Sequence, residues 1–196
     1  MIYVTSDTHF CHNKPFIYED RGFKNIEEMN DTIIENWNKL VKPDDTVIHL
    51  GDVMLNDNEQ GIKCLESLNG KITIIIGNHD TNQRINLYKA AKNVTNVEFG
   101  SRLNYKGYSF FCSHYPSICS NFDMDAPLKK QVINLCGHSH TVNHFADMDK
   151  DKGYIYHCEL DAHSMYPVSI DTIIYNVNNY YNLRVHGKKY NSYVLL

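Results

Sequence analysis

Seven residues able to bind a metal through oxygen or nitrogen stand at or just past the ends of five short apolar runs. In chain order the runs close with Asp7-Thr8-His9, Gly51-Asp52, Gly77-Asn78-His79-Asp80, Ser113-His114 and Gly137-His138-Ser139-His140. Any one of these is an ordinary turn; the ordered set is hard to explain without metal. Side chains two apart on an extended chain point the same way. Asp7 and His9 can therefore converge on one ion, and His138 and His140 on a pair of neighbouring ions. Asp52, directly after a strand and a glycine, can offer one carboxylate oxygen to each of two cations. Asn78 adds a neutral oxygen and His114 a further nitrogen. A mixture of carboxylate, imidazole and amide without thiolate suits Mn, Fe, Co, Ni or Zn better than Ca or a structural zinc.

Two divalent cations roughly 3.5–4 Å apart clamp both the attacking and the leaving oxygen of an in-line displacement at phosphorus. A hydroxide bridging them is the natural nucleophile, because a bound cation lowers the pKa of water from about 15.7 towards about 7. Two carboxylates set against two divalent cations leave the centre cationic, so it attracts a phosphate oxyanion.

With these residues in place, the chain resembles the calcineurin-like metallophosphoesterases, matching five motif blocks in order across residues 7–140. More narrowly it is similar to the small bacterial and phage-associated phosphoesterases of that superfamily. Ser6-Asp7-Thr8-His9-Phe10, the run from Asp44 to Asp52, and His114-Tyr115-Pro116 carry that closer likeness. The set is specific, whereas each block alone is weak. The resemblance implies a four-layer αββα sandwich of mixed sheets flanked by helices. It implies that Asp7, His9, Asp52 and His140 hold one metal, and that Asp52, Asn78, His114 and His138 hold the other, with Asp52 bridging. It puts His79 where the leaving group's acid stands and Asp80 where a carboxylate orients that histidine. Protonation of a leaving alkoxide by His79 would contribute roughly 10²–10⁴-fold. Two divalent cations are implied as cofactors, manganese foremost.

These residues must be positioned by strands and helices, and the hydrophobic pattern supplies them. Ile2–Ser6, Thr46–Leu50 and Lys71–Ile76 read as short apolar strands. Asn25–Val41 is an amphipathic helix, with Ile26, Met29, Ile33, Trp37, Leu40 and Val41 at helical spacing. Glu59–Leu68 and Thr81–Lys92 are further helices. Val97–Phe99, Arg102–Tyr105 and Tyr108–Cys112 read as antiparallel strands, the last two joined by a Lys106-Gly107 hairpin turn. Val132–Cys136 and Tyr154–Glu159 are strands, and Ser169 N-caps a helix through Val177. The tail from Tyr180 to Leu196 is read as an added hairpin. Strands alternating with helices, then mostly strands, indicate an α/β layered sandwich in one domain over residues 1–196, with an extension from about residue 179. Polar residues at the ends of apolar runs fit a site at the C-terminal edge of a sheet.

Composition narrows the partners. At 196 residues with a net charge of -4, the chain has no electrostatic footprint for long nucleic acid. Small phosphate esters or nucleotides, needing only a local positive site, are the expected substrates. No apolar stretch is long enough to span a bilayer, and the N-terminus enters a strand without a signal core, so the cytoplasm is the default location. Six cysteines without a Cys-x-x-Cys pair point to reduced thiols. His49 is read as a packed core histidine. His12, His144 and His163 are candidates for the mouth, with solvent exposure as the default; His157 has no assignment. Arg21, Arg84, Lys129 and Lys130 are weak candidates for substrate phosphates, set against solvated surface as the commoner fate. The leading reading is hydrolysis of small phosphodiesters at an open, uncapped site. The alternatives are a nuclease or phosphomonoesterase on the same residues, or a non-catalytic binding scaffold of the same fold.

Overall fold

The computed structural model describes residues 1–119, 126–148 and 153–186. In chain order the elements are β1 (Ile2–Thr5), α1 (Pro15–Tyr18), α2 (Ile26–Leu40), β2 (Thr46–His49), α3 (Asn58–Glu66), β3 (Lys71–Ile75) and α4 (Asn82–Ala90). They continue with β4 (Val94–Glu98), β5 (Ser101–Tyr105), β6 (Tyr108–Cys112), β7 (Val132–Cys136), β8 (Tyr154–His157), β9 (Val168–Ser169) and α5 (Ile170–His186). The strands form two mixed sheets. One has the order β4-β3-β2-β1-β9, parallel except for β9; the other has the order β5-β6-β7-β8, parallel except for the β5–β6 hairpin.

The two sheets face each other across one core, in which Val4, Ile48 and Leu50 of the first meet Phe110, Leu135 and Tyr156 of the second. The opposite face of the first sheet, with Val47, Ile72 and Ile74, is covered by α2, α3 and α4. Helix α5 packs against β1, β8 and β9. This is an α/β sandwich of two mixed sheets flanked by helices.

Local chemistry explains the helices. Asn25, Asp57 and Thr81 cap α2, α3 and α4, each side chain accepting a backbone N–H of the first turn. Met29, Ile33 and Trp37 share one face of α2 and are fully buried. Burial of each such side chain contributes about 1.5–3 kcal/mol.

Three expectations need correction. β4 pairs parallel with β3 in the first sheet rather than joining an antiparallel set, and Phe99 lies beyond it, exposed to solvent. β8 stops at His157, short of Glu159. The helix capped by Ser169 does not end at Val177 but runs to His186, so the first part of the tail is helical and not a hairpin. Its extension is held by aromatic packing, Tyr180 stacking on Phe145 and Tyr181 approaching Tyr154. Residues 187–196, the rest of the expected hairpin, lie outside the described residues.

Candidate metal centre

Five loops meet beyond the C-terminal ends of β1, β2, β3, β6 and β7, and each delivers part of the site. Asp7 and His9 follow β1, Asp52 follows β2, Asn78 and His79 follow β3, His114 follows β6, and His138 and His140 follow β7. The chain pays in backbone conformation: Asp7, His9, Asp52, His138 and His140 all hold left-handed φ between 47° and 75°. Non-glycine residues rarely adopt this region, and strained residues cluster at functional sites. Gly51, at φ +101°, and Gly77, where a Cβ would strike the Asp52 carboxylate, leave the room that the loops need.

Both aspartates are buried and divide their oxygens alike. Asp7 Oδ2 accepts the His138 backbone N–H at 2.9 Å, and Asp52 Oδ1 accepts the His79 backbone N–H at 2.9 Å. The other oxygens face imidazoles. Asp7 Oδ1 lies 3.6 Å from His9 Nε2 and 3.7 Å from His140 Nε2. Asp52 Oδ2 lies 3.5 Å from His114 Nε2 and 4.0 Å from His9 Nε2 and His79 Nε2.

Further contacts orient the imidazoles. His114 Nδ1 donates to the Leu50 carbonyl at 2.8 Å, which turns its Nε2 lone pair into the site, 2.8 Å from Asn78 Oδ1. His138 Nδ1 lies 2.8 Å from the same amide oxygen. His140 Nδ1 meets Asp161 Oδ2 at 3.2 Å, leaving its Nε2 3.1 Å from His9 Nε2.

The residues fit a pair of divalent cations. Asp7, His9 and His140 bring their ligand atoms within 4.8 Å of one another, and so do Asp7, Asp52 and His114. Asp7 Oδ1 is buried without a hydrogen-bond partner, a state that is costly for a carboxylate unless a cation satisfies it. Burial pushes the His9 imidazole down to about 4, keeping it neutral as a ligand must be. Burial opposes ionisation of Asp7, yet the neighbouring imidazoles, His9 foremost and then His140 and His114, hold its carboxyl well below the usual carboxylate range. Burial raises Asp52 to about 6, a shift that an adjacent cation reverses.

Several sequence expectations change here. Asp80 makes no hydrogen bond to the His79 ring among the described residues. Its Oδ2 accepts the backbone N–H groups of Asp52 and Gly77 at 2.9 and 2.8 Å, and its Oδ1 accepts the Tyr88 hydroxyl at 2.7 Å. It ties down the Asp52 turn instead. Arg21 is neither solvated nor available to a phosphate: its side chain is 3% exposed and pairs with Asp161 at 2.8 Å. It also donates to the Asp7 and Thr8 carbonyls. Arg84 likewise holds protein, donating to the His79 carbonyl and to Asn58 Oδ1. His12 is buried and stacks on His9, with centroids 5.3 Å apart. His144 and His163 stack on each other at 4.4 Å and bond backbone carbonyls, not solvent. His49, by contrast, is the core residue expected, fully buried and hydrogen-bonded to Thr8. Asp161 and Tyr88 carry roles that nothing local in the sequence announces.

Comparison with known proteins agrees with this geometry. Residues 1–158 match the family model of the calcineurin-like phosphoesterase superfamily domain. Protein MJ1445 of Methanocaldococcus jannaschii is 33% identical over 180 residues, spanning 88% of this chain and 89% of that protein. The gene 66 protein of Mycobacterium phage L5 is 33% identical over 82 residues, covering 40% of this chain and 39% of that one. Protein AQ665 from Aquifex aeolicus shares the fold with a TM-score of 0.67 at 24% identity, over 90% of this chain and 98% of its own.

Proposed function

The chain belongs to the calcineurin-like phosphoesterase superfamily, a family of metal-dependent hydrolases of phosphate esters, and we propose that its substrates are small phosphodiesters, nucleotides among them. The observation that carries this reading is the pair of buried aspartates, each with one oxygen held by a backbone amide and the other turned towards imidazoles. Asp7, His9, Asp52 and His140 would hold one cation; Asp52, Asn78, His114 and His138 would hold the other. Manganese is the first choice, with iron, zinc, nickel or cobalt compatible with the same donors. When bound, two such cations supply charge neutralisation at the phosphoryl oxygens and a lowered pKa for water.

The protein's own groups account for the rest. The rim formed by Asn78, His79, His138, Ser139 and His140 is exposed, so a phosphate carrying substituents on both sides can approach. That openness supports diesters over monoesters. His79 stands at this rim, its side chain 45% exposed and its Nε2 4.0 Å from Asp52 Oδ2. From there it can give its proton to the departing ester oxygen. Asp80 is a positioning residue, fixing the Asp52 turn from below. No helix among the described residues is long and apolar enough to cross a membrane. We place the enzyme in the cytoplasm, which its six free cysteines support.

The test is hydrolysis of bis-p-nitrophenyl phosphate and p-nitrophenyl phosphate by chelator-stripped protein, with and without Mn²⁺, beside Asp52→Asn. Mn²⁺-dependent cleavage of the diester, abolished by Asp52→Asn, is the expected result. Cleavage of the monoester alone would replace the diester reading with a phosphatase. Failure to bind any divalent cation would overturn the whole proposal.

A further inference from the structure

Beside the metal centre lies a cavity of about 550 Å³, within the usual size range of small-molecule sites. His9, His140 and His79 form its inner wall, so the cavity begins where the ester bond would break. Two apolar side chains on its walls are uncovered: Phe16 is 62% exposed and Val142 is 81% exposed. Large apolar side chains at such exposure are informative when they line a concave site instead of standing singly on the surface.

Phe16 is also held in place. Pro15 opens the short helix that carries it, and its ring meets His12 edge to face with centroids 5.8 Å apart. His12 is in turn stacked on His9. A ring so anchored and still largely exposed is a platform for another planar ring.

The charges lining the cavity narrow the occupant. Its one arginine, Arg21, is already paired with Asp161 and bonded to the Asp7 and Thr8 carbonyls, so it has little left for an anion. Asp20, at the same cavity, adds a carboxylate. Such a lining disfavours a second phosphate and favours a neutral group that presents hydroxyl or amino donors.

We propose that this cavity is the leaving-group subsite, and that it takes an uncharged aromatic alcohol, namely a nucleoside, stacked on Phe16 against Val142. The inference rests on the phosphodiesterase reading and on His79 as the group that protonates the departing oxygen, because His79 lines the same cavity. In the reaction the oxygen of water forms the new P–O bond and releases a proton to solvent, the P–O bond to the nucleoside breaks, and the nucleoside oxygen takes a proton from His79, which regains one from solvent. Phe16 acts through substrate stacking and so determines specificity. Tyr108 and Phe110 of β6 play no such part, since both are buried in the core.

The experiment compares three probes on Mn²⁺-loaded protein: adenylyl-(3′→5′)-adenosine, the methyl ester of ribose 5-phosphate, which has no base to stack, and adenosine diphosphate. The dinucleoside, which releases a nucleoside, should show the highest kcat/KM. Phe16→Ala should lower it by about 5- to 150-fold, the range expected for one lost base stack, while changing methyl-ester cleavage less than twofold. Saturation-transfer NMR of adenosine with chelator-stripped protein gives a readout that needs no catalysis. Adenosine should receive saturation from the wild type and not from Phe16→Ala. If no ester is cleaved but this binding and its Phe16 dependence hold, the subsite stands and the hydrolase reading falls. If esters are cleaved while Phe16→Ala affects all probes alike or none, or adenosine binds independently of Phe16, the subsite is overturned. Val142→Asp, a change at an exposed site, should reproduce the Phe16→Ala pattern and guards against a local folding defect in the first variant.

Discussion

The two halves of the candidate metal centre are braced by different materials. Around Asp7, His9 and His140 the outer support is a chain of side-chain charges. His140 rests on Asp161, Asp161 on Arg21, and Arg21 on the carbonyls of Asp7 and Thr8. Around Asp52, Asn78 and His114 the support is mainly backbone. The Leu50 carbonyl takes His114 Nδ1, and Asp80 gathers the amides of Asp52 and Gly77. Backbone support follows from strand register and moves only if the sheet moves. Charge support depends on two residues 140 positions apart, and either can be replaced without disturbing a strand. The first half is therefore the one that substitution can tune, and the second is the one that folding fixes.

The severest way to break this contrast is to change a proposed ligand. Asp7→Asn leaves the fold's hydrogen bond to His138 possible but weakens the carboxylate that faces His9 and His140. It should reduce bound metal from two ions to one and lower kcat/KM by on the order of 10³-fold, matching several kcal/mol of lost charge stabilisation. Metal content by mass spectrometry of the native protein, together with diester kinetics, checks both. Retention of two tightly bound ions would refute the assignment of Asp7.

A gentler change tests the bracing alone. In Asp161→Asn the His140 ring loses a carboxylate that His140 and Arg21 hold down at about 2 despite its burial. Loss of such an outer partner commonly costs about 10–100-fold in metal affinity. Titration with Mn²⁺ should then show one site weakened by that factor and the other unchanged. Equal weakening of both sites would show that the halves do not have separate supports. On the other side, Tyr88→Phe removes one of the donors to Asp80 and leaves the backbone amides in place. It should lower stability by about 1.5 kcal/mol, with a Tm decrease of roughly 3–6 °C, and leave metal affinity within twofold. A large loss of metal at the Asp52 half would mean that this half, too, hangs on a side chain.

The same contrast decides what could be read from the chain. The convergence of the candidate ligands that follow apolar runs was visible because strand ends are written locally, in residue type and in the glycines at 51, 77 and 137. The parallel pairing of β4 was not, because its strand pattern is the same whichever neighbour it joins; α4 and the turn after it decide that. The family resemblance put the Asp80 carboxylate against the His79 ring. The turn after β3 instead aims its carboxylate back at Gly77 and Asp52. Arg21 and Asp161 meet only in the folded chain, so no window of sequence contains their interaction. The continuation of α5 past Val177 depends on Phe145 and Tyr154, which lie far away in the chain.

A second tier of charge lies under the tunable half, and it makes the smallest prediction. Glu159 Oε1 accepts the Thr141 backbone N–H next to His140, and it also meets His157 Nδ1 at 3.0 Å. His157 Nε2 meets Asp147 Oδ2 at 3.1 Å, so the fully buried ring has a carboxylate at each nitrogen. Cys136 Sγ lies 3.8 Å from His157 Nδ1, the His157 backbone N–H donates to the His144 carbonyl, and its own carbonyl accepts from the His163 ring. Burial alone would lower the His157 pKa, but Glu159 and Asp147 outweigh it and raise the value above the ordinary 6.5. A raised folded-state pKa means that protonation favours the folded form. The contribution is complete below about 6.5, the unfolded value, and is lost as pH rises through the higher folded value. Tm measured from pH 6 to pH 9 on wild type and His157→Gln should therefore differ most at pH 6 and converge towards pH 9. A gap that stays constant across the range would show that His157 is held by packing alone. The loop of His140 would then rest on shape, as the Asp52 half does, and the difference between the halves would end at Asp161.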